Sequence, residues 1–203
     1  RAGHITPVAE FAPVQLAGTT VSRATLHNFD EVARKDIRDG DYIVVEKAGE
    51  IIPYVVSAVT EKRHGQETEI TPPSTCPSCG GPVERDADSA YLVCENQGCP
   101  AQVKRSIEHY ASRGAMDIEG VGTVLVDMLV NTGLVKDYGD LYSLEAPQLA
   151  ARERMGEKSA ANVCAALEES RDRPLARLVN ALGIRNVGAA TARALAAHFR
   201  SID

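Results

Sequence analysis

Four of the five cysteines in this 203-residue chain lie in one segment, TCPSCGGPVERDADSAYLVCENQGCP, running from Thr75 to Pro100. Cys76 and Cys79 form a C-x2-C pair, and Cys94 and Cys99 form a C-x4-C pair after a 14-residue loop. Two such pairs bring four thiolates to the corners of a tetrahedron, the arrangement of a closed structural zinc site. The first pair sits in Cys76-Pro77-Ser78-Cys79-Gly80-Gly81-Pro82, a knuckle whose small residues let backbone N–H groups turn toward sulfur. A catalytic zinc would keep one position open for water and recruit His or a carboxylate. Two disulfides are the alternative, but nothing else in the chain looks secreted. The fifth cysteine, Cys164, shares a helical face with Ala160, Val163 and Leu167 and reads as core. His109 follows the segment closely, but four cysteines already fill the tetrahedron.

A second set of residues recurs downstream. Gly120-Val121-Gly122 is followed four positions later by Val126, Arg154-Met155-Gly156 by Ala160, and Asn186-Val187-Gly188 by Ala192. The second glycines stand 34 and then 32 residues apart, so each unit reads as helix, tight turn, helix. A glycine permits positive φ and lets a ligand approach the backbone with no Cβ in the way. The helix that follows starts with free N–H groups and a positive dipole end, which suits a phosphate. This is a helix-hairpin-helix module, which grips a nucleic-acid backbone without reading sequence. The alternative is that each glycine merely caps a helix. Asn186 stands where the third unit's first glycine would be, and Asn also tolerates positive φ.

Three kinds of element must position these residues. Residues 1–71 alternate like strands, over Ile5–Phe11, Thr19–His27, Tyr42–Lys47 and Ile52–Glu61. They are punctuated by turns at Ala17-Gly18, Asp39-Gly40-Asp41 and Gly49-Glu50. A helical patch covers Asn28–Lys35, with Asn28 or Asp30 as N-cap. Four or five short strands in about seventy residues suit a small closed barrel, an OB-fold first, with an SH3-like barrel still open. Residues 72–102 form the cysteine segment, and from Val103 the apolar period is helical. The expected fold is therefore multidomain α+β: an OB-like β-barrel over 1–71, a four-cysteine zinc finger over 72–102, and an all-α hairpin array over 103–203.

Charge leaves nucleic-acid binding undecided. The net charge is −6, but residues 104–203 hold 13 Lys+Arg against 13 Asp+Glu and are neutral. That part carries Arg152, Arg154, Lys158, Arg171, Arg173, Arg177, Arg185 and Arg193, which can grip phosphate if they share a face with backbone amides. The chain has no apolar run long enough to cross a bilayer and no signal peptide, which points to a cytoplasmic protein without membrane partners. It does not begin with Met, as a piece of a longer chain would not.

The order barrel, four-cysteine segment, hairpin array resembles the C-terminal half of bacterial NAD-dependent DNA ligases. The stretches that carry the resemblance include Val21-Ser22-Arg23-Ala24-Thr25-Leu26-His27-Asn28, Asp36-Ile37-Arg38-Asp39-Gly40-Asp41 and Ala48-Gly49-Glu50-Ile51-Ile52-Pro53. Downstream they include Met116-Asp117-Ile118-Glu119-Gly120-Val121-Gly122, Gly156-Glu157-Lys158-Ser159-Ala160 and Ala181-Leu182-Gly183-Ile184-Arg185. The family's catalytic lysine lies in a Lys-x-Asp-Gly motif of an upstream adenylation domain. No such motif occurs here, and Lys136-Asp137-Tyr138-Gly139 has those letters in the wrong order. No catalytic residue is therefore expected in this chain.

The resemblance implies that the whole enzyme, with NAD and Mg, moves AMP from NAD to its lysine and then to the 5′-phosphate at a nick. Attack by the 3′-hydroxyl then seals the strand. It implies a monomer, a nicked-duplex substrate and an adenylation domain in the same chain, with this portion inactive alone. Arg23, Thr25, His27 and Asn28 would face DNA from the barrel. Gly120, Gly122, Gly156 and Gly188 would offer amides to phosphates, with Arg154, Lys158 and Arg185 adding charge. For His27 a purely structural role is equally open, and Lys47 reads as a solvated turn charge. The zinc would act as a clip fixing the angle between barrel and array. Rival classes are a branched-DNA-binding recombination module, which lacks the zinc segment, and an RNA-handling protein, which has no use for the hairpins.

Overall fold

The computed structural model describes residues 3–49, 52–86, 89–153 and 155–201. Arg1, Glu50, Ile51, Asp88 and the candidate Arg154 lie outside the described residues. The chain divides into two compact units, Gly3–Asn96 and Gln97–Asp203.

In chain order the first unit holds β1 (His4–Ile5), β2 (Val8–Leu16), β3 (Thr19–Thr25), α1 (Phe29–Arg34), β4 (Arg38–Asp39), β5 (Ile43–Ala48) and β6 (Ile52–Ala58). A 3₁₀ turn (Thr60–Lys62), β7 (Thr68–Glu69), β8 (Val83–Arg85) and β9 (Leu92–Cys94) follow. One sheet runs β2-β3-β6-β5, a ribbon pairs β4 with β7, and a third sheet runs β1-β9-β8. The β2–β3 hairpin turns at Ala17 and Gly18, with φ of 47° and 76°. Two successive positive φ values match the twist of the flanking strands. Its ladder breaks between Glu10 and Val14, where Pro13 has no N–H to donate. Strands β3 and β6 meet in parallel at Thr25 and Tyr54, which curls the sheet around Ala24, Leu26, Val32, Ile37 and Val55.

The strand expected over Ile5–Phe11 is two strands. Thr6 and Pro7 interrupt it, and the Pro7 carbonyl accepts from the Leu26 N–H at 3.1 Å. Beyond that break β1 leaves the barrel and pairs antiparallel with β9 of the cysteine segment, His4 opposite Val93 and Ile5 opposite Leu92.

A polar lock holds the far side of the barrel. The Arg63 guanidinium donates to both Asp41 carboxylate oxygens at 2.7 and 2.8 Å, to Asp36 Oδ2 at 2.6 Å and to the Asp36 carbonyl. Asp41 also accepts from the Arg38 N–H at 2.8 Å, and its side chain is 0% exposed. These bonds hold both carboxyls below the usual carboxylate range, the Arg63 hydrogen bond being the largest cause. They stabilise a loop in which Asp36 and Gly40 take positive φ.

The second unit is helical: α2 (Pro100–Ala111), α3 (Thr123–Asn131), α4 (Tyr138–Leu141), α5 (Ala146–Ala150), α6 (Glu157–Ser170), α7 (Leu175–Ala181) and α8 (Ala189–Phe199). Its core is far larger and includes Ile107, Leu129, Val135, Leu141, Leu149, Val163 and Leu167. Fully buried Ser170 is satisfied by the Leu167 carbonyl at 2.7 Å and the Tyr142 hydroxyl at 2.8 Å. The Tyr110 hydroxyl lies 3.0 Å from that of Tyr142, which joins it to the same polar chain. Cys164 is half-buried against the core with its thiol 3.7 Å from the Leu144 carbonyl, as its helical face suggested. His109 is turned to the Asn180 carbonyl at 2.9 Å. No helix among the described residues is long and apolar enough to cross a membrane.

Candidate zinc centre and nucleic-acid interface

The Sγ atoms of Cys76, Cys79, Cys94 and Cys99 all lie within 4.8 Å of one another. Cys79 Sγ and Cys94 Sγ are 3.6 Å apart. A disulfide would place sulfurs about 2.05 Å apart, whereas four sulfurs about 2.3 Å from one zinc stand about 3.8 Å apart. The knuckle forms as its composition requires. The Cys76 N–H donates to the Gly81 carbonyl and the Gly80 N–H to the Cys76 carbonyl, both at 2.8 Å, and Gly80 takes φ of 68°. The Gly81 N–H points at Cys79 Sγ from 3.4 Å. Cys76, Cys94 and Cys99 are buried, and burial pushes the Cys94 thiol up to about 11. Buried thiols of this kind ionise together only around a divalent cation, so the donor set, spacing and burial fit zinc. With all four corners taken by sulfur, such a site is structural and leaves no position for a reacting water.

The three repeated glycines occupy one position in the fold. Gly122, Gly156 and Gly188 are the N-caps of α3, α6 and α8. Each is extended, with φ of −97°, −86° and −97°, a conformation any residue adopts. A Cβ built on any of the three would meet nothing within 4 Å. None of these helices has a side-chain cap, so the first-turn amides are left open. Four residues on, Val126, Ala160 and Ala192 are each 0% exposed, which explains the small residue in the repeat.

The first residues of the first and third turns have a different reason. Gly120 takes φ of 85°, and a Cβ there would sit 2.9 Å from Val163 Cγ2. Asn186 takes φ of 65°, the left-handed conformation that let it replace glycine.

The basic residues divide. Arg173 is turned inward to the Met116 and Asp117 carbonyls, and Arg177 to the Ala115 and Arg113 carbonyls at 2.6 and 2.7 Å. Arg171 pairs with Glu168 at 2.7 Å and covers the Tyr142 ring. These three candidates stabilise loops and helix ends. Lys158 is exposed in the first turn of α6 and makes no ion pair among the described residues. A cation at that end opposes the helix dipole, so the fold itself gains nothing from it. Arg185 is exposed in the turn before Gly188.

On the barrel, Arg23 lies opposite Glu10 and pairs with it at 3.2 Å, with side chains 67% and 72% exposed. Exposed pairs of this kind contribute about 0–1 kcal/mol, so the guanidinium is readily exchanged to a phosphate. Thr25 Oγ1 accepts from the His27 N–H at 3.1 Å, and Asn28 Oδ1 caps α1 through the Glu31 N–H at 2.8 Å. Asn28 is thereby the N-cap that the sequence left between two residues. His27 is exposed at φ of 65°, closed by an Asn28 N–H to Leu26 carbonyl bond at 2.8 Å. That three-residue turn is rare and strained. No hydrogen bond among the described residues reaches its imidazole, which acts on Glu31 of α1 through charge alone. Lys47 reaches Thr19 Oγ1 at 2.8 Å, tying β5 to the β2–β3 turn, a tertiary contact its turn-like setting did not reveal.

Comparison with known proteins agrees with this geometry. Residues 1–67 match the model of the NAD-dependent DNA ligase OB-fold domain and residues 75–101 that of the NAD-dependent DNA ligase C4 zinc finger domain. Residues 113–169 match a SAM-like helix-hairpin-helix tandem and residues 177–203 a helix-hairpin-helix motif. The whole chain is 55% identical over 203 residues to a protein named DNA ligase from Heliobacterium modesticaldum, covering 30% of that relative. It is 56% identical over 204 residues to one from Chlorobium luteolum, covering 30%, and 51% identical to one from Syntrophomonas wolfei, covering 31%. The chain thus spans about a third of the length of these curated relatives. Over the residues it spans, the chain carries the OB-fold and C4 zinc finger domains of NAD-dependent DNA ligases, followed by helix-hairpin-helix modules.

Proposed function

We propose that this chain is the DNA-gripping portion of an NAD-dependent DNA ligase, holding duplex DNA through its backbone and without sequence preference. The observation that carries the proposal is the trio of N-cap glycines. At Gly122, Gly156 and Gly188 neither φ nor packing calls for glycine. Ser, Thr, Asp or Asn would cap those helices at least as well. A missing side chain beside open amides is accounted for by a phosphate that must come close to the backbone. Lys158 and Arg185 add charge beside two of the three turns, as does Arg154 in the sequence, and Gly120 shapes the first turn. On the barrel Arg23 and His27 supply the contacts, while Thr25 and Asn28 hold the strained turn that presents His27.

The whole enzyme would seal nicks in duplex DNA in the cytoplasm as a monomer, using NAD and Mg at an adenylation domain in the same polypeptide. This portion alone would be inactive, since none of its residues offers the adenylated lysine. The test is fluorescence anisotropy of the zinc-loaded chain with nicked duplex, intact duplex and single strand across a salt series. Duplex binding that ignores sequence and weakens steeply with salt is expected, the slope rising by about one unit per phosphate contact. Absence of duplex binding at low salt would overturn the reading.

A further inference from the structure

The first strand of the chain is held by the zinc finger and not by the barrel it leads into. Among the described residues strand β1 is an edge, paired with β9. The Cys94 N–H donates to the Gly3 carbonyl at 2.9 Å, and the His4 ring lies 5.0 Å from that of Tyr91. Strand β9 ends on Cys94, whose sulfur is one corner of the metal site.

Each step in this chain of contacts is weak without the one before it. A two-residue strand pairing cannot stand alone, and a hairpin of three-residue strands is marginal in water. A further tie between hairpin and barrel is the Arg85–Asp30 ion pair, with side chains 58% and 55% exposed. Exposed pairs of that kind hold little. Past Thr6 the situation changes, because Pro7 is bonded to Leu26 and β2 is laddered along β3.

We infer that the four-cysteine site is a metal-dependent latch on the segment entering the barrel. With zinc bound, β9 is fixed and captures residues 3–5. When zinc leaves, those residues come free while the barrel from Val8 onward stays folded. Resting on the ligase reading above, an adenylation domain upstream of the barrel would be reached through this segment. The latch itself does not depend on that reading.

The test is hydrogen exchange of the whole chain, read by mass spectrometry, before and after zinc is removed by a chelator and again after zinc is restored. Removal should speed exchange over residues 3–6 at least as much as over 91–94, by about tenfold or more, and leave β3 and β6 protected. Restored zinc should reverse it. In parallel, Ile5→Pro should speed zinc loss to a chromogenic chelator by roughly 10–100-fold, the range for residues that support metal ligands from behind. Unchanged exchange at residues 3–6 in the zinc-free protein would overturn the latch. So would loss of protection throughout β2 and β3, because the finger would then be part of the barrel core. Neither readout involves DNA, so failure of the latch and failure of the DNA-binding reading are distinguishable.

Discussion

Helix α1 of the barrel and α3, α6 and α8 of the helical unit begin in opposite ways. Asn28 closes α1 with its own side chain, and Asp137 does the same for short α4, accepting from the Gly139 and Asp140 amides at 2.8 and 3.1 Å. The three hairpin helices begin on glycines and leave their amides open. Helices α2 and α7 also lack a side-chain cap, but they begin on Cys99 and Pro174 and not on glycine. Where glycine stands instead, we propose that a phosphate completes the helix end. The units also differ in what holds them. Among the described residues five form the buried barrel cluster against seventeen in the helical one, so the barrel leans on the Arg63 lock and the finger on its metal.

The largest effect that would test this contrast is loss of the metal. Cys94→Ser should abolish zinc stoichiometry by elemental analysis, since structural sites of this type contribute on the order of 10 kcal/mol. The helical signal in circular dichroism should remain, because the helical unit has a large buried core of its own. Next, Arg63→Ala should lower the thermal midpoint of the first unit by about 5 °C or more, leaving the buried Asp41 carboxylate unpaired. The lock also has a pH signature. Because Asp36 and Asp41 titrate below their unfolded values, their contribution is present above the ordinary carboxylate range and is lost as pH falls through the folded values. Acid unfolding below about pH 4 should therefore be shallower in the Arg63→Ala variant.

Smaller effects separate the two glycines of a turn. Gly120→Ala should destabilise the helical unit by about 1–3 kcal/mol in urea unfolding, since the new methyl meets Val163 at an unfavourable φ. Smallest is Lys158→Ala, which should leave stability within about 0.5 kcal/mol and lower the salt slope of DNA binding by about one unit.

Local chemistry was legible in the sequence because its signals are close together. Four cysteines within 24 positions, a glycine repeat and an N-cap before an acidic first turn each declare themselves over a few residues. The turn at Ala17-Gly18 and the left-handed Asn186 belong to the same class. Long-range pairings were not legible. Nothing near Ile5 says that it pairs with Leu92, and Arg63 gives no hint of Asp41 across 22 residues of sequence. The same blindness applied to charge. Arg173 and Arg177 look like a basic patch until the fold brings the carbonyls of residues 113–117 beside them. A lone arginine reads alike whether it faces a phosphate or a carbonyl.

The most direct measurement replaces Gly122, Gly156 and Gly188 together with serine and follows the thermal midpoint and the affinity for duplex DNA in one preparation. Serine is as good an N-cap as glycine or better, and its Oγ would take the amides for the chain itself. The expected result is an unchanged or raised midpoint with affinity weakened by at least about tenfold, roughly 1.4 kcal/mol. Unchanged affinity would contradict the claim that these helix ends are open for phosphate.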